Sequence, residues 1–171
     1  SISSTATNNI VQNPGAETGD LTSWSTNGVS WITSSCCDHN HTGDYGFTPF
    51  YAPITYYAGY IKQTFSNPVA HDGSITFWQK WGSNFEVDVT YQNGTVFTQS
   101  YDSVGSTYTQ RTLGISTDED VSIIQFETTA DTGTTTSVDD IVLNSHTYAR
   151  CCGDDGVNDD FFNGTLAVDA T

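Results

Sequence analysis

In FEVDVTYQNG, residues 85–94, Phe85, Val87, Val89 and Tyr91 alternate with Glu86, Asp88 and Thr90, and the run stops at Gln92-Asn93-Gly94. A period of two puts the apolar set on one face of a pleated strand and the acids on the other. Asn-Gly is a hairpin-turn signal. Working outward, Ile75 and Phe77 alternate with Thr76 and Trp78, and VSIIQFET (121–128) and SVDDIVL (137–143) are further short runs. Gly, Asn, Asp and Ser punctuate the intervals, and no segment carries a sustained apolar stripe of helical period. Many short strands at such spacing predict an all-β sandwich or barrel with little helix. No internal repeat is present.

The chain has 171 residues, enough for one domain with a sizeable core. Aromatic residues make up 13%, which is not the composition of a disordered chain. Four Lys+Arg stand against twenty Asp+Glu, a net charge of -16. Nucleic acid and anionic membrane reward positive charge, so both are excluded as partners. The acidity suits divalent cations, an extracellular medium and neutral ligands such as glycans; it also simply keeps a Ser/Thr-rich surface soluble. No apolar stretch approaches the roughly 20 residues of a membrane span.

The chain begins at Ser1 and contains no methionine, from which we expect a processed form whose secretion signal has been removed. Three N-glycosylation triplets point the same way: Asn40-His41-Thr42, Asn93-Gly94-Thr95 and Asn163-Gly164-Thr165. Asn93 is the best placed, being in a turn. The cysteines form two adjacent pairs, Cys36-Cys37 and Cys151-Cys152. A bond between neighbours closes a strained ring, so two disulfides between the pairs are expected, in an order the sequence leaves open. Closing so long a loop stabilises by about 4–5 kcal/mol in the chain-entropy model. A four-thiolate metal site is the alternative, but zinc sites usually separate their cysteines, and an oxidising compartment is the simpler reading.

The opening stretch NIVQNPGAETGDLTSW (9–24) resembles the start of the jelly-roll carbohydrate-binding modules of the xylan- and glucan-binding type, which are galactose-binding-like β-sandwiches. Their first segment runs Asn-hydrophobic-x-Asn-Pro-Gly-aromatic-Glu-x-Gly and then a Trp; here Ala16 stands in place of the aromatic residue. HTGDYGF (41–47), YIKQTF (60–65), SITFWQKW (74–81) and TSVDDIVL (136–143) resemble later segments in order and spacing. The resemblance implies a β-sandwich over 9–145; outside it, the small polar residues 1–8 read as an arm and residues 146–171 as a C-terminal extension, which the cysteines would staple.

It also implies a structural calcium ion. In such modules an early Glu and an Asp of the last strand meet at one end of the sandwich, which carries over to Glu17 and Asp139, with backbone carbonyls from Gly43 and Asp44. Strand alternation favours Asp139 over Asp140, because it puts Asp139 on the face of Ile141 and Leu143. An inward carboxylate needs a cation or donors. Calcium takes roughly six to eight oxygens, which two acids, carbonyls and water can supply. The alternative is that Glu17 caps turn amides and Asp139 faces solvent. Asp154, Asp155, Asn158, Asp159 and Asp160 lack the spacing of a calcium loop and read as a solvated turn.

For a ligand, sugar surfaces combine aromatic rings with polar groups. Trp78 lies opposite Ile75 and Phe77 on its strand, so an open sheet face carrying Trp78 beside Tyr60, with Glu86 and Asp88 near, is one expectation; a loop covering Trp78 is the other. The aromatic-rich stretch 47–60, which includes Tyr57, is a binding loop or a subunit contact. His39, His41, His71 and His146 read as scattered surface histidines, no catalytic triad or phosphate loop is present, and no acid pair stands out for glycoside hydrolysis. The expected function is a secreted, calcium-stabilised, non-catalytic module that binds polysaccharide or glycan. The alternative is a structural subunit of an extracellular filament, sheath or matrix, binding copies of itself through arm, tail and aromatic loop.

Overall fold

The computed structural model describes residues 8–27, 31–35, 38–49, 58–129 and 136–146. The cysteines at 36, 37, 151 and 152, Tyr57, Asn163 and the acids of 154–160 lie outside these residues, as do most of the arm and of the extension. Among the described residues there is no helix. The strands are β1 (Ser25–Thr26), β2 (Trp31–Ser34), β3 (Gly46–Pro49), β4 (Gly59–Val69), β5 (His71–Trp81), β6 (Phe85–Tyr91), β7 (Val96–Tyr101), β8 (Thr109–Gly114), β9 (Val121–Thr128) and β10 (Thr136–Ser145). They form two five-stranded sheets, in the orders β1-β4-β9-β6-β7 and β2-β3-β10-β5-β8, and every pairing is antiparallel.

The alternation in 85–91 is realised residue by residue: Phe85, Val87, Val89 and Tyr91 are buried, while Glu86, Asp88 and Thr90 stay partly exposed. The core between the sheets joins Ile61, Val87, Ile124 and Phe126 to Phe47, Ile75, Phe77 and Val138, all fully buried. Aromatic edges meet across it, with Phe77 and Phe126 ring centroids 5.2 Å apart and Trp24 and Phe47 5.3 Å apart. The buried Trp31 indole donates to Gly59 O at 2.9 Å, which satisfies its polar handle.

Residues 12–24 are bends and turns rather than a strand, and just before them Asn9 makes one antiparallel bridge to Asn144. The cause is local. Asn13 and Ala16 adopt left-handed φ values of 47° and 60° around Pro14-Gly15, which turns the backbone out of the extended region. The Asn13 side chain organises the turn, accepting from Thr18 N and donating to Asp20 O and Thr22 O. Ala16 is fully buried. Pro14 O accepts from Ile141 N at 3.1 Å, which ties this turn to the last strand.

The last strand departs from simple alternation. Asp139 pairs with Trp78 and Val142 with Thr76, with a register shift between them. Asp140 and Ile141 together stand opposite the single residue Phe77, and Asp140 has φ 49°, so this is a β-bulge. Asp139 therefore shares the face of Trp78, not that of Leu143, which pairs with the core residue Ile75. The alternation argument for Asp139 is corrected. The residue is nevertheless completely buried, because the 38–45 loop covers it.

Candidate functional site

Two acidic regions stand out, one on each sheet. The first is the junction of the 13–17 turn, the 38–45 loop and the bulge. Asp139 Oδ2 accepts from His41 N at 2.6 Å and Thr42 N at 3.0 Å, and Oδ1 accepts from Asp140 N at 2.8 Å. Glu17 reaches the same loop three residues on, accepting from Asp44 N at 2.9 Å and Tyr45 N at 3.1 Å. Asp140 accepts from Thr42 Oγ1 and meets His41 Nδ1, both at 2.7 Å.

Glu17 and Asp139 are thus brought to one loop from distant parts of the chain. Gly43 is required there: it has φ 67°, and a Cβ on it would coincide with the Glu17 carboxylate. Gly43 O accepts from Asn40 Nδ2 at 2.8 Å. A Cβ on Gly15 would lie 3.1 Å from Asp139 Oδ1, 3.4 Å from Asp140 Oδ1 and 3.7 Å from Glu17 Cγ, so three acids border one small space. Burial pushes the Asp139 carboxyl up to about 6 against the pull of its amide partners, and the Asp140 charge adds to the rise. No lysine or arginine offsets Asp139 among the described residues. A buried acid with only amide dipoles for partners, beside two further acids, is a place where a cation would offset charge, while the described acids whose oxygens converge within 4.8 Å are Glu86, Asp88 and Glu127 of the other sheet.

Trp78 belongs to this junction. The His41 ring stacks on it with centroids 3.8 Å apart and planes at 13°, and Tyr108 flanks His41 at 5.3 Å. Beside them the nearly buried Lys80 donates to Asp38 O at 3.0 Å, and its ammonium lies 4.2 Å from the centre of the Trp81 ring. The His39 imidazole meets Ser137 Oγ at 2.5 Å; burial first, and Lys80 second, hold its pKa below the usual histidine value. Placing Trp78 beside Tyr60 and Glu86 is therefore corrected. They are on different sheets, and Trp78 is roofed by a loop.

The second region is the outer face of the β1-β4-β9-β6-β7 sheet. Glu127 on β9 stands between Tyr60 on β4 and Glu86 on β6, and Gln125 stands between Lys62 and Asp88. Directly opposite residues share a face, so these six side chains form two rows across the sheet. Oxygens of Glu86, Asp88 and Glu127 lie within 4.8 Å of one another. Gln125 Nε2 donates to Glu127 at 2.7 Å and to Asp88 at 3.4 Å, Thr98 Oγ1 donates to Asp88 at 2.5 Å, and the Lys62 ammonium is 5.1 Å from the Tyr60 ring centre. The Glu127 pKa is raised, by partial burial first and then by the charges of Asp88 and Glu86, against its bond from Gln125. No described strand packs over this face. Glu127 and Gln125 were missed from sequence, although the alternation of VSIIQFET carried the signal.

This is a jelly-roll β-sandwich architecture, which solved carbohydrate-binding modules also have. The protein superposes on the TmCBM61 module solved with β-1,4-galactotriose, with a TM-score of 0.60 at 16% identity over 81% of this chain and 99% of that one. It superposes on the CBM22-1 xylan-binding domain of Paenibacillus barcinonensis Xyn10C with a TM-score of 0.57 at 12% identity, over 86% of this chain and all of that one. A further match is the enzymatically active domain of tailspike protein 4 from bacteriophage CBA120, with a TM-score of 0.57 at 17% identity, where 81% of this chain covers only 21% of the other. Likeness at this identity defines the fold. The chain matches no protein-family model and no curated protein sequence.

Proposed function

We propose that the protein is a secreted, non-catalytic carbohydrate-binding module that receives polysaccharide on the outer face of the β4-β9-β6 strands, around Tyr60. The observation that carries this reading is the pair of rows on that face, an aromatic ring set among Lys62, Gln125, Glu127, Glu86 and Asp88. A sugar presents hydroxyls to such acceptors and donors and a C–H face to such a ring. The fold it shares with glycan-binding modules supports the same reading. Affinity electrophoresis against soluble xylans, glucans and galactans tests it: retardation by at least one polymer, weakened about tenfold in Tyr60→Ala and less in Glu127→Gln, is expected. Retardation that survives Tyr60→Ala unchanged refutes the face.

Calcium belongs to this proposal as a structural ion. Glu17 and Asp139 would hold it, with Asp140 and the 43–44 loop beside them. Its charge would neutralise the junction that fastens the first turn to the last strand, and it would supply no chemistry to a substrate.

A filament or matrix subunit is the second reading. It is favoured by β7, an edge strand with no charged residue, on which Val96 is 54% and Phe97 36% exposed. Such an edge can pair with another chain. Electron microscopy of concentrated protein decides between the two, since fibres that vanish with Phe97→Lys support this second reading.

A further inference from the structure

We propose that Asn93 is an acceptor site for an N-linked glycan and that Asn40, which carries the same triplet, is not. The inference rests on the secreted reading of the chain and goes beyond its glycan-binding role. Asn93 sits at the tip of the β6–β7 hairpin. Tyr91 N donates to Thr95 O at 2.9 Å, and Gly94 N to Tyr91 O at 3.0 Å, closing a tight turn. Gly94 has φ 85°, and a Cβ placed there meets nothing within 4 Å, so the tip is open, while Gln92 N anchors its base by donating to Asp120 O at 2.8 Å.

Within the turn, Asn93 Oδ1 accepts from Thr95 N at 2.8 Å. That bond fixes the side-chain rotor and turns the amide nitrogen away from the backbone. No described group accepts from Asn93 Nδ2, and residues 92–95 are all exposed. The acceptor nitrogen and the Thr95 side chain are thus presented together on a rigid, open tip.

Asn40 has the opposite environment. It is partly buried, and its Nδ2 is committed to Gly43 O at 2.8 Å. The next two residues give their amides to Asp139. A sugar on this nitrogen would leave it one hydrogen and require room inside the loop that covers the acid junction.

The transfer is an ordinary substitution. Asn93 Nδ2 attacks C1 of the reducing-end sugar of a lipid-pyrophosphoryl oligosaccharide, the donor that secretory compartments supply. The C1–N bond forms, the C1–O bond to phosphate breaks, Nδ2 gives up one proton and the lipid pyrophosphate leaves. The hairpin is at the Tyr91 end of β6, and Glu86 is toward the other end, so a glycan on Asn93 leaves the Tyr60 rows open.

The test is to secrete the full chain from a eukaryotic cell line and map glycopeptides by mass spectrometry. The expected result is a glycan on the peptide containing Asn93, an unmodified peptide containing Asn40, and aspartate at 93 after amidase release. Asn93→Gln and Thr95→Ala should each abolish the modification while Tyr60-dependent polysaccharide retardation persists. A bare Asn93 in secreted protein, a glycan on Asn40 in folded protein, or a glycan that survives Thr95→Ala overturns the proposal. Because the host supplies donor and enzyme, failure here is separate from failure of polysaccharide binding.

Discussion

The two acidic regions solve the same electrostatic problem in different ways. At the junction, Glu17 and Asp139 spend their oxygens on backbone amides of the 38–45 loop and, for Asp139 Oδ1, of Asp140 in the bulge, and Asp139 is withdrawn from water altogether. On the open sheet, Glu86, Asp88 and Glu127 face solvent in part and are partnered by side chains, Gln125, Thr98 and Ser100. Backbone partners cannot be exchanged without moving the loop, so the first set is a fastening. Side-chain partners can rotate toward a ligand's hydroxyls, so the second set is available for recognition. The same residue type becomes structural or functional according to what it is bonded to.

The sharpest way to break this contrast is Asp139→Ala. It leaves the His41 and Thr42 amides without their acceptor, and a cost on the order of 3 kcal/mol is expected, read from the urea midpoint at unchanged slope. Loss under about 1 kcal/mol would mean that the loop does not depend on it. Next in size is calcium. Chelation should lower the melting temperature, and calcium at a hundredfold excess over its Kd should restore about 2.7 kcal/mol. Glu17→Gln should abolish that response while Glu127→Gln leaves it intact; a response in neither protein removes the ion from the junction.

A smaller effect separates the faces by binding. Tyr60→Ala should weaken polysaccharide affinity about tenfold, roughly 1.4 kcal/mol, whereas Trp78→Ala should leave affinity alone and lower stability through the lost His41 stack. The reverse pattern would return the ligand site to the Trp78 side. The smallest effect is electrostatic. A carboxyl whose pKa is raised in the folded state binds its proton more tightly there than in the unfolded chain. Protonation of Glu127 therefore favours folding, and its contribution grows as pH falls through its raised pKa toward the unfolded value. At neutral pH, Glu127→Gln should be neutral or stabilising by a few tenths of a kcal/mol, and its difference from the parent should disappear in acid, as thermal melts across pH 4–7 would record.

The period-two patterns were legible because each is local: the buried and exposed residues of β6 follow the alternation of its sequence. The convergence of Glu17 and Asp139 was legible only through a family resemblance, since nothing local links residues so far apart. Two features were illegible for physical reasons. A bulge adds one residue to a strand without changing its composition, so the face of Asp139 was misread although its burial was not. Which sheet Trp78 joins depends on pairing of β5 with β10 and β8, which is long-range, and alternation along one strand cannot report it. Glu127 escaped because the strand VSIIQFET was read for its apolar residues alone.

The segment at residues 8–10 and the end of β10 run antiparallel side by side: Ile10 N donates to Leu143 O at 2.9 Å and Ser145 N to Asn8 O at 2.8 Å. Two segments that run side by side can be joined by a short linker without stretching either. For the same reason, joining Asn8 to His146 through a short Gly-Ser bridge and reopening the backbone at Gly105, where a Cβ would meet nothing, should yield a circular permutant with the same two sheets.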